Sequence, residues 1–176
     1  MLGLGVGFYG VGGKTYNGGE WLPTDESSLQ AWYKFGGPTK NPVDSWPDES
    51  GNGFHMLQAV TANQPSNSAG VITFDGSDDL QSTSSINLTG VFTVGIRLDT
   101  SNPTNVLLGD NTANQDLYKQ VDSNTFRVKT SAGSGDIDLD GGNSFGDDHL
   151  VITRDGSNSL KIWFNGVEQA DSATRG

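Results

Sequence analysis

Apolar and polar residues in this chain alternate with a period of two, and no segment holds a helical period for long. Phe92, Val94, Ile96 and Leu98 are interleaved with Thr93, Gly95 and Arg97, the pattern of a strand with one buried face. Shorter apolar runs of strand length occur at 31–35, 71–74, 106–108, 117–119, 125–129, 137–139, 150–153 and 160–164. The last two flank Asp155-Gly156-Ser157-Asn158, where an Asp-Gly pair predicts a hairpin turn. Residues 21–30 read as an opening turn, with a single helical turn capped by Thr24. Many short strands separated by turn residues predict an all-β sandwich or barrel. One such domain over 21–176 follows a distinct N-terminal arm, residues 1–20.

Composition sharpens this reading. Among the 21 acidic residues 17 are Asp and four are Glu. Asp bonds its own local backbone and favours turns, whereas Glu favours helices, so an all-α fold is excluded. The net charge of -11, with ten Lys and Arg in no cluster, would repel a phosphate backbone and argues against nucleic acid as a partner. No run approaches the roughly 20 apolar residues that span a bilayer, so no membrane partner is expected. The chain has no Cys, which removes disulfides, thiolate nucleophiles and Cys-held metals.

The arm is rich in glycine. Gly3, Gly5 and Gly7 alternate with Leu2, Leu4, Val6 and Phe8, followed by Tyr9 and further glycines to Gly19. Ordering so many glycines costs too much backbone entropy for an independent fold. The apolar positions Leu2, Leu4, Val6, Phe8 and Tyr9 are therefore expected to dock on a partner. Gly12-Gly13-Lys14-Thr15 imitates the end of a phosphate-binding loop, but Phe8 stands where that loop needs Gly, and Gly18-Gly19 would stop the helix it requires.

Three segments in sequence are similar to the laminin G-like, concanavalin A-like jelly-roll family. Trp46-Pro47-Asp48-Glu49-Ser50-Gly51-Asn52-Gly53 resembles its D-x-S-G-N-G loop, and Phe74-Asp75-Gly76-Ser77-Asp78-Asp79-Leu80 resembles its F-D-G-x-D-D segment. His149 to Gly156, running on through Leu160 to Gly166, resembles its H-x-x-x-T-R-D-G hairpin. The resemblance covers roughly residues 29–170. It implies a two-sheet antiparallel jelly-roll sandwich. Family members usually carry further strands after this hairpin, so the closing strands are expected to be missing here, or supplied by the arm or by a partner. The arm, followed by Glu20-Trp21-Leu22-Pro23-Thr24-Asp25, is similar to the start of virion structural proteins of marine tailed cyanophages. That second resemblance implies a virion location, with other virion proteins or further copies of the chain, in a homo-oligomer, as partners through the arm.

Candidate chemistry is sparse. Asp136, Asp138 and Asp140 alternate with Ile137 and Leu139, which would place three carboxylates on one strand face. Glycan hydrolases of the jelly-roll kind use Glu at the outer positions, and Asp is one methylene shorter, so an acidic edge is the competing reading. Two histidines, His55 and His149, offer neither a catalytic triad nor a zinc site. No catalytic residue is therefore assigned, and the chain is expected not to be an enzyme. Oxygen-rich loops, Asp75 with Asp78 and Asp79, and Asp48 with Asn52, are candidates for Ca2+, although such residues commonly serve turns. Alternation along 160–164 sends Leu160, Ile162 and Phe164 inward and leaves Lys161 and Trp163 outward. Trp163, Lys161, Arg97 and Arg127 form the carbohydrate-binding candidate set. For Trp163 the competing readings are packing on a neighbouring strand and a subunit contact. The functional expectation is a non-enzymatic virion structural protein that touches surface glycans. A free carbohydrate-binding module, or a degenerate glycan hydrolase, is the alternative.

Overall fold

The computed structural model describes residues 22–86, 88, 90–99, 106–109, 118–120, 124–130, 133–140 and 147–174. The arm residues Leu2, Leu4, Val6, Phe8 and Tyr9 lie outside the described residues. The described chain is all-β, with antiparallel sheets and short 3-10 turns, among them Pro23–Asp25 and Thr61–Asn63. By internal packing it divides into two units. One runs up to Leu88 and includes Thr93–Arg97; the other comprises Thr89–Phe92 and the chain from Leu98 onward.

In the first unit β1 (Ser45–Trp46), β2 (Met56–Leu57) and β5 (Gln81–Ser82) form a small antiparallel sheet in the order β1-β2-β5. The hairpin of β3 (Ser66–Ser68) and β4 (Val71–Thr73) turns through Ala69 and Gly70, at φ 52° and 86°. Two positive φ values are what a two-residue hairpin loop of type I′ requires, and they match the right-handed twist of its strands. A Cβ at Gly70 would also crowd the Gly36 Cα and the Phe35 ring, each at 3.1 Å, a second reason that favours glycine there. Leu29, Ala31, Tyr33, Val43, Trp46 and Ile72 are buried, and the Tyr33 and Trp46 rings meet edge to face at 6.0 Å.

Two expectations for this unit are corrected. Residues 31–35 do not form a strand; only Tyr33 makes a bridge, to Asp48. The backbone N–H of Trp32 donates instead to the Asp48 carboxylate. The first turn is not capped by Thr24: it begins after Leu22, whose N–H donates to the Asp25 carboxylate at 2.9 Å.

The long strand β6 (Phe92–Asp99) buries Val94, Ile96 and Leu98, as its alternation predicts. In the second unit β7 (Val106–Leu108), β8 (Tyr118–Gln120), β9 (Thr125–Thr130) and β10 (Gly133–Asp138) make a sheet in the order β10-β9-β8-β7. A meander of β11 (Asp147–Arg154), β12 (Ser159–Phe164) and β13 (Val167–Thr174) makes another. Thus a strand follows the hairpin where none was expected. Inward residues are those alternation selects: Leu150 and Ile152 on β11, Leu160, Ile162 and Phe164 on β12, Phe126 on β9 and Ile137 on β10.

β13 is polar, and side-chain bonds tie it to the end of β10. The Asp138 N–H donates to Asp171, the Asp140 N–H to the Gln169 amide oxygen, and the Ala170 N–H to Asp140, at 2.7–3.0 Å. These bonds satisfy backbone donors that a strand edge would otherwise present to another chain.

Candidate functional site

The outer face of the β11–β13 meander follows from the register of its strands. Trp163 pairs with Val151 on one side and Glu168 on the other, and Lys161 pairs with Thr153 and Ser172. Trp163, Lys161, Val151 and Thr153 are half-buried, while Glu168 is exposed. A bulge in β13 between these two rows shifts its register, and the Lys161 ammonium forms an ion pair with the Glu168 carboxylate. The result is an indole beside a fixed pair of opposite charges on a sheet whose other face is packed. Such a surface can stack on the apolar face of a sugar ring and hydrogen-bond its hydroxyls.

Of the four sequence-derived candidates the structure brings Trp163 and Lys161 together. Arg127 lies on β9, in the other sheet, where its guanidinium binds Asp136 in a two-pronged pair at 2.7 and 2.8 Å. This bond holds the Arg127 pKa above its ordinary value. Arg97 is exposed on β6. Sequence reasoning missed Glu168, because its approach to Lys161 depends on the pairing of a strand with no apolar period.

The acidic row has the predicted sidedness: Ile137 and Leu139 are buried, Asp136 and Asp138 exposed. Each carboxylate has a structural partner. Asp136 holds Arg127, Asp138 accepts from the Thr125 hydroxyl at 2.8 Å, and Asp140 accepts from the Ala170 N–H.

The oxygen-rich loops are engaged in the same manner. Asp75 accepts from the N–H and hydroxyl of Ser77, and Asp78 accepts from the N–H of Asp75. Asp79 receives the side-chain amides of Gln58 and Gln81 at 2.6 and 2.9 Å. The bonds from Ser77 and Asp78 hold the Asp75 carboxyl below its ordinary pKa. Among the described residues no group of three or more His, Asp and Glu side chains converges as a metal site.

Asp48 and Asn52 form a clasp. The Asp48 carboxylate accepts from the N–H groups of Trp32, Ser50 and Phe54 and from the Ser50 hydroxyl, at 2.7–3.0 Å. The Asn52 amide donates to the carbonyls of Leu29 and Gln30. Burial pushes the Asp48 pKa up, but the bonds from Trp32, Ser50 and Phe54 outweigh it and leave the carboxyl below its ordinary value. The Asp48 N–H in turn donates to Nδ1 of His55 at 3.0 Å. Beneath the clasp the Tyr33 hydroxyl donates to the Phe54 carbonyl at 2.5 Å, and burial above all raises its pKa to about 12.

A shallow cavity of about 220 Å³ also opens in the first unit, between Gly37–Lys40 and Asp44, Ser45 and Pro47. Among the described residues no helix is long and apolar enough to cross a membrane. No protein-family model matches the chain, and neither a curated protein nor a solved structure matches it.

Proposed function

We propose that this chain is a non-enzymatic virion structural protein of the tailed-phage kind, built as a lectin-like jelly-roll sandwich. Its Gly-alternating arm holds it to other virion proteins or to copies of itself, and the outer face of β11–β13 contacts surface glycans. The observation that carries the glycan reading is the half-exposed Trp163 beside the Lys161–Glu168 pair. The engagement of Asp136, Asp138 and Asp140 with Arg127, Thr125 and Ala170 supports a structural rather than a catalytic acidic row. A shallow face of this kind binds weakly, and several copies on a particle convert weak contacts into avidity.

The test is glycan-array screening of the intact chain in multivalent form, followed by titration of Trp163→Ala. Loss of an aromatic stacking contact of about 1–1.5 kcal/mol weakens binding roughly tenfold. The thermal midpoint is expected to stay close to wild type, because the indole is already half in water. Absence of any bound glycan, or full binding by Trp163→Ala, refutes the glycan part. Light scattering of the intact chain and of a chain lacking residues 1–20 tests the arm: an oligomer that persists without it refutes the assembly role.

A further inference from the structure

We infer that Asn165–Gly166, the two-residue turn between β12 and β13, is a deamidation site held in check by Asp148 and His149. The chemistry is intrinsic to Asn followed by Gly. The Gly166 backbone nitrogen, losing its proton, attacks Cγ of Asn165; a C–N bond forms and ammonia leaves. Water then opens the succinimide to Asp or to isoaspartate, and no oxidant or cofactor is consumed. Gly has no side chain to obstruct that attack, and the turn itself needs Asn-Gly, with φ 49° and 83°. The residue pair that makes the best turn is thus also the most reactive one.

Folding restrains the reacting amide at both ends. Nδ2 of Asn165 donates to the Asp148 carboxylate at 2.7 Å, and Asp148 is 8% exposed. Oδ1 of Asn165 accepts from the His149 N–H at 2.9 Å, while the Asn165 N–H donates to the His149 carbonyl at 2.8 Å. Swinging Cγ towards the Gly166 nitrogen requires breaking both side-chain bonds. Should the reaction occur, the product deepens the damage. A new carboxylate oxygen replaces the donor against Asp148, so the buried Asp148 carboxylate faces a second carboxylate of like charge. Isoaspartate also adds a methylene to the backbone of a two-residue turn. Deamidation therefore loosens the β12–β13 hairpin, independently of any glycan contact.

The chain carries an internal reference in Asn52–Gly53, whose amide donates to the Leu29 and Gln30 carbonyls far from Asp148 in sequence. The experiment incubates the full chain at mildly alkaline pH and follows the amide-to-acid mass change at Asn165 and Asn52 by peptide mapping. It compares wild type, Asp148→Ala, Asp148→Asn and a free peptide of residues 162–175. Folded wild type is expected to deamidate at Asn165 at least about tenfold more slowly than the peptide, the factor that a charge-assisted hydrogen bond corresponds to. Asp148→Ala is expected to recover most of that factor at Asn165 with Asn52 unchanged. Asp148→Asn, which keeps an amide oxygen for Nδ2 but loses the charge, falls between wild type and Asp148→Ala. Equal rates in peptide and folded wild type overturn the inference, as does a folded Asp148→Ala with the wild-type rate. If Asp148→Ala unfolds, Asn52 accelerates with Asn165, and the wild-type-to-peptide ratio decides.

Discussion

Asp48→Ala removes the acceptor around which the first unit closes. The carboxylate takes three backbone donors, from Trp32, Ser50 and Phe54, and the Ser50 hydroxyl. It is only 7% exposed, so water does not freely replace it. The Ser50 hydroxyl has another acceptor in the Gln30 carbonyl, and the Ser50 N–H, on a half-buried loop, can reach water. The N–H groups of Trp32 and Phe54, also in half-buried residues, lose their acceptor. At about 1–3 kcal/mol for each of these two unsatisfied donors, the expected loss is about 2–6 kcal/mol. That is a large part of the roughly 5–15 kcal/mol by which a domain is stable.

Urea unfolding followed by tryptophan fluorescence reads this loss, because Trp32 and Trp46 flank the clasp. Asp48→Asn preserves shape but turns an NH2 towards donors, so it is expected to lose about 1–3 kcal/mol, less than Ala. The pH dependence has a definite sign. The Asp48 carboxyl is held below its ordinary value when folded, so its contribution is complete above the unfolded carboxylate range, near about 4. It is lost as pH falls through the folded value. The stability gap between wild type and Asp48→Asn should therefore shrink in acid. A loss under about 0.5 kcal/mol for Asp48→Ala, the scatter of ordinary surface changes, refutes the clasp. So does a gap that stays constant from neutral to acidic pH.

Ala69 sits at φ 52° in the β3–β4 turn, a conformation that costs an L-residue about 1–2 kcal/mol and that Asn tolerates better. Ala69→Asn is expected to raise the thermal midpoint, and an unchanged or lower midpoint argues against the turn geometry. Ile162 is fully buried at the centre of β12, so Ile162→Ala should cost about 2–5 kcal/mol in urea titration; a cost under 1 kcal/mol would place this strand outside the packed layer. Added Ca2+ is expected to leave the thermal midpoint unmoved, since a cation at Asp75, Asp78 and Asp79 must displace the donors bonded there. A midpoint that climbs with Ca2+ concentration would show a site.

What the sequence revealed depended on which faces are buried. β6, β11 and β12 each pack one side inward, and the period-two positions Val94, Ile96, Leu98, Leu150, Ile152, Leu160, Ile162 and Phe164 that fill it are apolar, so their inward residues were legible. β3, Ser66-Asn67-Ser68, has no apolar residue to announce it. It is fixed by pairing with β4 and by Asn67, whose side-chain amide donates to the Pro38 and Lys40 carbonyls. β13 is silent for the same reason, since Gln169 and Ala173 are its buried residues among exposed ones. Conversely, 31–35 has strand-like residues, but Asp48 captures the Trp32 N–H that a ladder would have used. At the candidate site, the outward aim of Trp163 and Lys161 followed from period two. The pairings Lys161–Glu168 and Arg127–Asp136 did not, because each depends on a cross-strand register.

The preference for Asp over Glu acquires a physical meaning from these bonds. Asp25, Asp48, Asp75, Asp78, Asp140, Asp155 and Asp171 all accept backbone N–H groups. Several of these bonds span only two to four residues, as at Asp25, Asp75 and Asp155, a reach that suits the shorter side chain. Short strands leave many donors outside any ladder, and each needs an acceptor if it is not to face water. An aspartate supplies one but brings a charge, so these turns contribute to the acidity of the chain. At Asp155 the bonds from Ser157 and Ser159 hold the carboxyl below its ordinary value, so the turn is favoured by the ionised form. The same charge that closes the turns also keeps copies of the domain apart. In the proposed assembly the uncharged Leu2-Gly-Leu-Gly-Val-Gly-Phe8 segment would offset that repulsion with apolar contacts.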